Sequence, residues 1–463
     1  PVKNFDLSEN TQEQQSQQTR KPLIQVEPSY YYEDQEAFYN EHPDYDPCDS
    51  DVAFYFYCYD YQESNLNVNL VGDNKIDNKF FQEDSGAAGV SFGFYCGGTV
   101  KPQLTIGGVG TLTIVGGSHC IYTNTSLKID ADLTLKTQQK DHWTSGIHAK
   151  KITIRDYAKI DADLTAYLFE SNDKENPENG ALDIGEHTEI DATITPCQDG
   201  SGGSTLSSVS VITSSYSVTF GQYSKASIDV VFDANNLGTG LYLPPVEVIS
   251  SNNSGDVTIE DYSEINITGT GDNDYPEEYI LGLNGISSDN DVSIEDSIFT
   301  FEADLKNCFT AYGIVGNNIT FRYRSAIRID ITAYNVYAVA AHAKFNSFGS
   351  TIRIKVESTD PDNYVFGLVT YDVILMSPDS YASIELTGKG IALGVRLGTG
   401  TEEIKYDLPY ISEKIDIDIE KFNDSFKIKY NCCSIPSVAG GYQYFEVPYD
   451  IRIPGEEIIL KTI

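Results

Sequence analysis

One heptapeptide, KIDADLT, occurs twice in this chain, at residues 128–134 and again at residues 159–165. A third, altered copy, EIDATIT, covers residues 189–195. Repetition at a near-constant interval is typical of repeat proteins, in which each unit buries its apolar side chains against the next unit. This repeat constrains the possible folds more than any other feature of the sequence.

The alternating segment of the heptapeptide recurs along most of the chain. Apolar and polar residues alternate in these copies, which is the period of a strand and not of a helix. The copies are Ile129–Leu133, Ile160–Leu164, Ile190–Ile194, Ile228–Phe232, Ile265–Ile267, Ile298–Phe301, Ile327–Ile331, Ile352–Val356, Ile384–Leu386 and Ile415–Ile419.

Each unit contains two further elements. A second strand precedes the alternating segment and is separated from it by one polar turn, as in Lys151–Ile154 or Asp256–Ile259. A Gly-Ile pair such as Gly146-Ile147 often opens the unit. Three short strands that bury their residues by stacking on the next unit predict an all-β fold, a right-handed parallel β-helix of about ten coils. An array of β-sandwiches is the alternative, although it would not repeat one strand at this interval.

The composition changes at both ends of the repeat region. We predict a polar, Gln-rich N-terminal arm at 1–28, a Tyr-rich N-terminal cap at 29–103, the β-helix repeats at 104–400 and a strand-rich C-terminal cap at 401–463. The arm has the composition of a disordered segment, and we expect it to become ordered by contact with a neighbouring subunit.

The paired aspartates of the heptapeptide alternate with buried residues and therefore point outward. Stacked copies would place Asp130, Asp161, Asp191 and Asp229 in one column, and Asp132 with Asp163 in a second. Close carboxylates repel one another or bind a hard cation such as calcium. The alternative is an exposed column whose repulsion is offset by neighbouring lysines and water.

Acidic turns elsewhere are further candidate calcium ligands. They contain Asp272 and Asp274 in the first turn, and Asp289 and Asp291 in the second. The first begins like an EF-hand loop, but Pro276 and Glu277 stand where that loop requires other residues. No cofactor is otherwise predicted.

A dense group of tyrosines follows the arm. Alternation places Tyr55, Tyr57, Tyr59 and Tyr61 on one face of a strand. Such a row could contact a sugar ring or a second subunit, because tyrosine combines apolar area with a polar tip. The alternative is that the row belongs to the cap that closes the end of the solenoid.

The net charge limits the possible partners. The chain carries 69 acidic and 31 basic residues, a formal net charge of −38. Such a charge opposes binding to nucleic acid, which requires clustered lysine and arginine. The sequence also has no apolar run of the length needed to span a membrane.

The cysteines indicate an oxidising environment. Their number is even, their spacings are irregular, and no Cys-x-x-Cys pair occurs, which favours disulfides over zinc. We predict that all eight form disulfides in a protein located outside the cell or on its surface, with the pairing left open: Cys48, Cys58, Cys96, Cys120, Cys197, Cys308, Cys432 and Cys433.

Catalytic motifs receive little support. Arg353-Ile-Lys355 resembles a triplet of the polygalacturonases, but the adjacent aspartates and the Gly-His-Gly element that this family needs are absent from the sequence. Asp141, His142, Trp143 and His148 lie close together, yet their spacing fits no known ligand pattern, and we interpret them as a surface loop.

The repeated pattern Gly-Ile, then Val-Ser/Thr-Ile-x-Asp, then Ile-x-Ile, over about residues 104–400, resembles secreted microbial β-helix proteins described as carbohydrate-binding domains, and also surface adhesins. The resemblance implies a face that binds polysaccharide with the help of calcium. The leading hypothesis is a non-catalytic cell-surface protein, structural or adhesive, that forms a homo-oligomer or polymer through its N-terminal arm. The alternatives are a monomeric calcium-assisted carbohydrate-binding module and a polysaccharide lyase or hydrolase.

Overall fold

The structure is a computed structural model that describes most of the chain between residues 65 and 397. The continuous ranges are 65–77, 90–96, 102–116, 118–137, 144–197, 209–233, 245–271, 281–305, 309–360, 364–370, 373–376, 380–387 and 389–397. Outside these ranges it describes only isolated strands.

The described elements are strands, apart from one short 3-10 helix at Pro177–Asn179. The strands of the N-terminal half are β1 (Lys3–Asp6), β2 (Ile24–Gln25), β3 (Phe54–Cys58), β4 (Leu66–Leu70), β5 (Asp73–Asp77), β6 (Val90–Cys96), β7 (Gln103–Val115), β8 (His119–Thr123), β9 (Ser126–Lys136), β10 (Ser145–Ala149), β11 (Lys151–Ile154), β12 (Lys159–Leu164), β13 (Phe169–Ser171), β14 (Leu182–Ile184), β15 (Glu189–Ile194), β16 (Ser210–Ser214), β17 (Val218–Phe220) and β18 (Lys225–Phe232). Those of the C-terminal half are β19 (Val246–Ser251), β20 (Val257–Ile259), β21 (Glu264–Gly271), β22 (Leu281–Ser288), β23 (Asp291–Glu295), β24 (Ile298–Asp304), β25 (Phe309–Arg322), β26 (Ala326–Ala333), β27 (Asn335–Phe348), β28 (Thr351–Ser358), β29 (Tyr364–Thr370), β30 (Val373–Met376), β31 (Tyr381–Thr387), β32 (Lys389–Leu397), β33 (Lys405–Asp407), β34 (Asp416–Phe422), β35 (Ser425–Asn431), β36 (Ile451–Ile453) and β37 (Glu456–Ile458).

The strands form three parallel ladders, which we name A, B and C. Ladder A contains β2, β3, β6, β8, β10, β13, β16, β19, β22, the first parts of β25 and β27, β29 and β32. Ladder B contains β1, β4, the first parts of β7 and β9, β11, β14, β17, β20, β23, the second parts of β25 and β27, and β30. Ladder C contains β5, the second parts of β7 and β9, β12, β15, β18, β21, β24, β26, β28 and β31.

From β10 to β31 the chain visits ladders A, B and C in turn and then repeats the circuit. Partners on adjacent strands of ladder C are 30 residues apart between Lys159 and Glu189, and 39 apart between Lys225 and Glu264. One pass therefore corresponds to one sequence repeat. The prediction of an all-β repeat fold is confirmed as one long parallel sheet of many strands, an arrangement consistent with a β-helix or solenoid.

The core lies between the ladders. Ile129, Ala131 and Leu133 are buried, as the alternation predicts, and they belong to one continuous cluster of apolar side chains that extends from Leu66 to Ile384. Burial of apolar area contributes about 25 cal/mol per Å². Since each unit leaves its apolar edge open, the next unit must cover it.

Buried hydroxyls occupy the corners where one ladder ends and the next begins. Ser251 and Ser288 stack between ladders A and B with their Oγ atoms 3.0 Å apart, and Ser224 and Ser263 stack between B and C at 3.2 Å. These side chains also donate hydrogen bonds to turn carbonyls, such as Gly255 O. The corners therefore satisfy backbone groups that have no strand partner.

The structure corrects the predicted alignment of several repeat copies. Residues 128–134 and 159–165 are not equivalent, because β9 runs from ladder B into ladder C without a turn, and Leu133, not Ile129, pairs with Ile160. Ile298 pairs with Glu264 and is 46 % exposed, so Phe299 and Phe301 point inward instead.

The last predicted copy, Ile415–Ile419, departs from the parallel pattern. It overlaps β34, which pairs antiparallel with β35, and β35 pairs antiparallel with β31 of ladder C. At the other end, β1 and β2 of the arm pair in parallel with β4 and β3 of the same chain. The ladders also include β4, β5 and β6, within the range assigned to the N-terminal cap.

Among the described residues, no helix is long and apolar enough to cross a membrane.

Candidate functional site

Titratable and aromatic side chains gather on the outer face of ladder A where β8, β10 and β13 lie side by side. The strand register places Tyr122 next to His148 and His148 next to Glu170. Two further rings, His119 and Tyr167, pack against this row. We call these five residues the histidine cluster.

The cluster is held together by hydrogen bonds and ring contacts. The Nδ1 atom of His148 lies 2.9 Å from Oε2 of Glu170, and Asn172 donates a hydrogen bond to Oε1 at 3.1 Å. The ring of Tyr122 stacks on His148 with centroids 4.8 Å apart, while His119 meets Tyr122 edge-on at 5.4 Å. Each ring therefore has a fixed orientation.

Two opposing effects set the pKa of Glu170. Burial favours the neutral acid, but hydrogen bonds from His148, Asn172 and Tyr167 and the charge of His148 outweigh it, and the pKa falls from 4.5 to about 2. The carboxylate is therefore ionised at neutral pH. Burial raises the pKa of Tyr167 well above its usual range, and the charge of Glu170 is the second cause of this rise.

In contrast to Glu170, the pKa of His119 is set mainly by burial. Burial, reinforced by the charge of His148, lowers the pKa of His119 from 6.5 to about 4, although Glu170 acts to raise it. Its Nδ1 atom lies 3.1 Å from Oγ of Ser118. His119 is therefore a neutral imidazole at physiological pH.

Chemically, the histidine cluster pairs one imidazole with one ionised carboxylate that orients it. This is the arrangement of a base and its orienting group. Hydrolysis of a glycosidic bond in the usual way requires two carboxyl groups, one of them protonated. The cluster contains one carboxylate, Glu170, and its lowered pKa is unsuited to a general acid.

A second feature lies on the turns between ladders B and C. The rings of Tyr157, His187, Tyr223 and Tyr262 stack in a row at centroid distances of 4.6, 4.7 and 5.0 Å. Their interplanar angles are 8°, 4° and 16°. We call this row the aromatic column.

The turn backbone places these side chains. All four residues have φ between 55° and 65°, the left-handed region that bulky residues rarely adopt. Each turn bonds to the next: Tyr157 N donates to Glu186 O, His187 N to Gln222 O, and Tyr223 N to Asp261 O, at 2.9 to 3.0 Å. The turn geometry thus repeats from unit to unit and aligns the rings.

The column presents ring edges and phenol groups to solvent. Tyr157 is 66 % exposed, Tyr223 43 % and Tyr262 52 %. Because neighbouring rings cover the faces of His187 and Tyr223, these two rings cannot stack on a sugar. The column offers edge contacts and hydroxyl groups instead.

The predicted aspartate columns are wrong in part. Asp161 and Asp191 are direct neighbours in ladder C, as expected, but Asp191 is followed by Ser227, whereas Asp229 pairs with Thr193. Asp130 is aligned with Gly107 and not with Asp161. The aspartates are out of line because β9 continues from ladder B into ladder C without a turn, and because β18 is longer than β15.

Cations and backbone groups contact several of these carboxylates. Asp130 pairs with Nε of Arg155 at 2.9 Å, Asp132 accepts a hydrogen bond from the backbone N–H of Lys159, and Lys136 lies 3.9 Å from Asp161. Asp163 is aligned with Lys136 and Thr193, so Asp132 and Asp163 form no column.

The carboxylates of the acidic turn at Asp289 and Asp291 also accept hydrogen bonds within the protein. Asp289 accepts a hydrogen bond from the backbone N–H of Asn253 at 2.9 Å, and Asp291 accepts one from the side chain of Asn318 at 2.7 Å. Within the part of the chain that the structure describes, no three His, Cys, Asp or Glu side chains form a metal-binding group. Asp272 and Asp274 lie outside that part.

The predicted tyrosine row is described only as backbone. Tyr55 and Tyr57 belong to β3, which pairs with β2 and β6. Tyr59 and Tyr61 lie outside the described residues. The row stays a prediction.

Three of the eight cysteines have described side chains, and all three are buried: Cys96, Cys120 and Cys197. No disulfide joins any two of these three, and the prediction that all eight cysteines form disulfides is wrong for Cys120, which is a free thiol. Cys120 is a thiol whose pKa is raised by burial to about 12, so it is neutral and unreactive at physiological pH. The side chains of Cys48, Cys58, Cys308, Cys432 and Cys433 lie outside the described residues.

The two remaining predictions about surface residues have different outcomes. Arg353 and Lys355 point outward, as expected for strand residues, and Lys355 lies 3.6 Å from Asp330. The prediction that His148 belongs to a surface loop is wrong, because His148 lies in β10 and contacts Glu170 of β13. Asp141, His142 and Trp143 lie outside the described residues. The sequence contains no signal for Glu170, because His148 and Glu170 become neighbours only through the register of adjacent units.

The sequence matches no protein-family model, and no similar curated protein or solved structure was found.

Proposed function

We propose that the protein is a non-catalytic structural or adhesive protein of the cell surface that associates with copies of itself. The observation that carries this proposal is the aromatic column. Its exposed rings contribute little to the protein's own core, and their left-handed backbone costs about 1 kcal/mol or more per residue. A rigid row of such side chains suits an extended contact with another molecule.

The fold supports the same role. We infer a right-handed parallel β-helix of about ten coils closed by caps at both ends, a shape that presents long, regular faces. Polar groups along these faces are largely engaged within the protein, as in the alternating row of Lys159, Glu189, Lys225 and Glu264, where Lys159 and Glu189 are 2.8 Å apart. A surface of this kind is suited to contact rather than to chemistry.

We place the contact between copies at the N-terminal arm, residues 1–28. Its strands β1 and β2 extend two of the parallel ladders at their N-terminal ends. A terminal strand offers unpaired backbone groups to a strand from another chain. Disulfides involving the remaining cysteines would stabilise such a protein outside the cell.

The test compares the full chain with a variant that lacks residues 1–28 and with a Tyr157→Ser, Tyr262→Ser double variant. Sedimentation velocity and negative-stain electron microscopy measure assembly. We expect fibres or layers from the full chain, and dispersed particles from both the deletion variant and the double variant. Dispersed particles from the full chain at all protein concentrations would contradict self-association.

A calcium-assisted carbohydrate-binding module is the second candidate, favoured by the direct stacking of Asp161 on Asp191 in ladder C. Calcium bound there would raise the melting temperature of the full chain, and Asp191→Asn would remove that increase. Polysaccharide binding by the monomer that depends on calcium would favour this candidate. Release of reducing or unsaturated sugars would instead indicate a lyase or hydrolase.

A further inference from the structure

Two exposed phenols are held against each other on adjacent units. Tyr223 and Tyr262 occupy equivalent turn positions, and their ring centroids are 5.0 Å apart at an interplanar angle of 16°. A hydrogen bond of 3.0 Å from Tyr223 N to Asp261 O joins the two turns. The distance between the rings is therefore fixed by the fold and not by a chance side-chain encounter.

From this geometry we infer that Tyr223 and Tyr262 are a site of oxidative modification, at which the two rings become joined by a carbon–carbon bond. The inference concerns a single molecule and does not depend on the proposed self-association.

The chemistry requires an external oxidant, hydrogen peroxide used by a haem peroxidase. Each phenol loses one electron and its hydroxyl proton to give a tyrosyl radical with spin density on the ring carbons next to the oxygen. The two radicals form a bond between these carbons, and the displaced ring hydrogens move to the oxygens. The two phenols thus lose two electrons and two protons in total, and one peroxide is reduced to two waters.

Radical coupling is a reaction of neighbours, so proximity controls its yield. Within the aromatic column, His187 lies between Tyr157 and Tyr223, at 4.6 and 4.7 Å from them. Beyond Tyr262 the next turn carries Asp296 at the position of positive φ. In the column, Tyr223 and Tyr262 are thus the tyrosines in direct contact.

A second stacked pair provides a comparison within the same molecule. Tyr312 and Tyr337 on ladder A have centroids 4.7 Å apart at 9°. Both are only partly exposed, and Tyr337 is also stacked on Phe366 at 4.5 Å. If ring contact alone controlled the reaction, both pairs would couple equally. The greater exposure of Tyr223 and Tyr262 to the oxidant favours coupling at that pair.

The coupled product would link two adjacent units through a bond between residues 39 positions apart, which closes a loop in the unfolded chain. Such a link reduces the conformational freedom of the unfolded state in the way that a disulfide does. We therefore expect the modified protein to melt at a higher temperature than the unmodified protein.

The experiment treats a dilute mixture of ¹⁴N-labelled and ¹⁵N-labelled full chain with a haem peroxidase and limiting hydrogen peroxide. Dityrosine fluorescence follows the reaction, and tandem mass spectrometry of the monomer fraction locates the bond. We expect a cross-linked pair of peptides that contains Tyr223 and Tyr262. Its mass should be that of the two separate peptides less two hydrogen atoms, and both peptides should carry the same nitrogen isotope. Mixed-isotope pairs would show coupling between chains.

Variants that keep the ring but lose the phenol provide the controls. Tyr223→Phe and Tyr262→Phe should each abolish this peptide pair, whereas Tyr157→Phe, at the same turn position, should leave its yield unchanged. Circular dichroism verifies that each variant is folded. Absence of the pair from the wild-type monomer, or equal yields from Tyr223–Tyr262 and Tyr312–Tyr337, would overturn the inference. Because only monomers are analysed, failure of self-assembly would leave this result unaffected.

Discussion

His119 remains uncharged chiefly because burial in a site with little access to water disfavours its charged form, and the electrostatic effect of His148 acts in the same direction. The lowered pKa has a consequence for stability. An imidazole that ionises near pH 6.5 when unfolded but near pH 4 when folded binds fewer protons in the folded state. Its neutral form therefore supports folding fully above pH 6.5, and this support is lost as the pH falls toward 4.

We predict that the wild-type protein loses about 3 kcal/mol of unfolding free energy between pH 6.5 and pH 4 through His119 alone. In His119→Phe this part of the loss should disappear, since phenylalanine keeps the edge contact with Tyr122 and does not titrate. Urea denaturation across this pH range measures the effect. The exposed His342→Phe serves as control, and a wild-type slope retained in His119→Phe would contradict the assignment.

The contribution of Glu170 to stability changes over a lower pH range than that of His119. Its pKa is depressed from 4.5 to about 2, so its stabilising contribution is present above pH 4.5 and is lost as the pH falls toward 2. Glu170→Gln keeps the side-chain shape but removes the charge, and we expect a loss of about 3 kcal/mol at pH 7 that vanishes near pH 2. Denaturation at both pH values, with Glu178→Gln on the exposed 3-10 helix as control, tests this expectation. An equal loss at both pH values would show that shape and not charge is responsible.

Sequence alternation predicted correctly that Ile129, Ala131 and Leu133 point inward, but it placed Ile298 wrongly. It could not predict which outward residues of different strands meet. His148 and Glu170 are 22 residues apart, and only the register of β10 with β13 makes them neighbours. A change of one residue in a turn would separate them, so this information lies in turn lengths that composition does not reveal.

At the scale of elements, turns and close approaches decide where each strand lies. The sequence identified the strands β11 and β20 and the turns that follow them. It aligned β9 wrongly, because a strand that crosses from ladder B to ladder C without a turn carries the same heptapeptide as β12, which follows a turn. Identical residues can therefore occupy different places in successive units.

The turn at Tyr223 allows backbone strain to be measured separately from ring stacking. Tyr223→Ala and Tyr223→Gly both remove the ring, but only glycine adopts φ near 59° without steric cost. We expect the glycine variant to be more stable than the alanine variant by about 1 kcal/mol.

The matched control is the same pair of substitutions at Tyr216, which does not have positive φ. There alanine should be the more stable variant, by up to about 1 kcal/mol. Urea denaturation of the four variants gives the comparison. The same preference at both positions would mean that the left-handed turn is not a source of strain.

Close approach of two strands explains the glycine of the Gly-Ile pairs in ladder A. A Cβ atom at Gly313 would lie 2.4 Å from the carbonyl oxygen of Ala338 and 3.1 Å from Cδ1 of Ile329. Gly313→Ala therefore forces the backbone to move, and we expect a loss of about 1 to 3 kcal/mol. The control is Ala338→Gly at the equivalent position of the next strand, where a loss of about 1 kcal/mol or less is expected. Thermal or urea unfolding distinguishes the two, and a larger loss for Ala338→Gly would contradict the proposed crowding.

At the scale of the whole molecule, the parallel register implies that one complete unit can be removed. Val218 of β17 is the direct neighbour of Val257 of β20. Deletion of residues 218–256 therefore joins Ser217 to Val257 and removes β17, β18 and β19, one strand from each ladder. After the deletion β14 would meet β20, β15 would meet β21, and β16 would meet β22, each in the same alternation as before.

We predict that this deletion variant folds, with a β-type circular dichroism spectrum, a single cooperative unfolding transition and a lower stability. The new contact of Glu189 with Glu264, without Lys225 between them, accounts for part of the loss. Deletion of one residue more, 218–257, places Thr258 where Val218 was and reverses the inward and outward positions of the strand that follows. That variant should aggregate or unfold. If the two deletions behaved alike, stability would not depend on residue-by-residue stacking of the units, and the repeat seen in the sequence would have another origin.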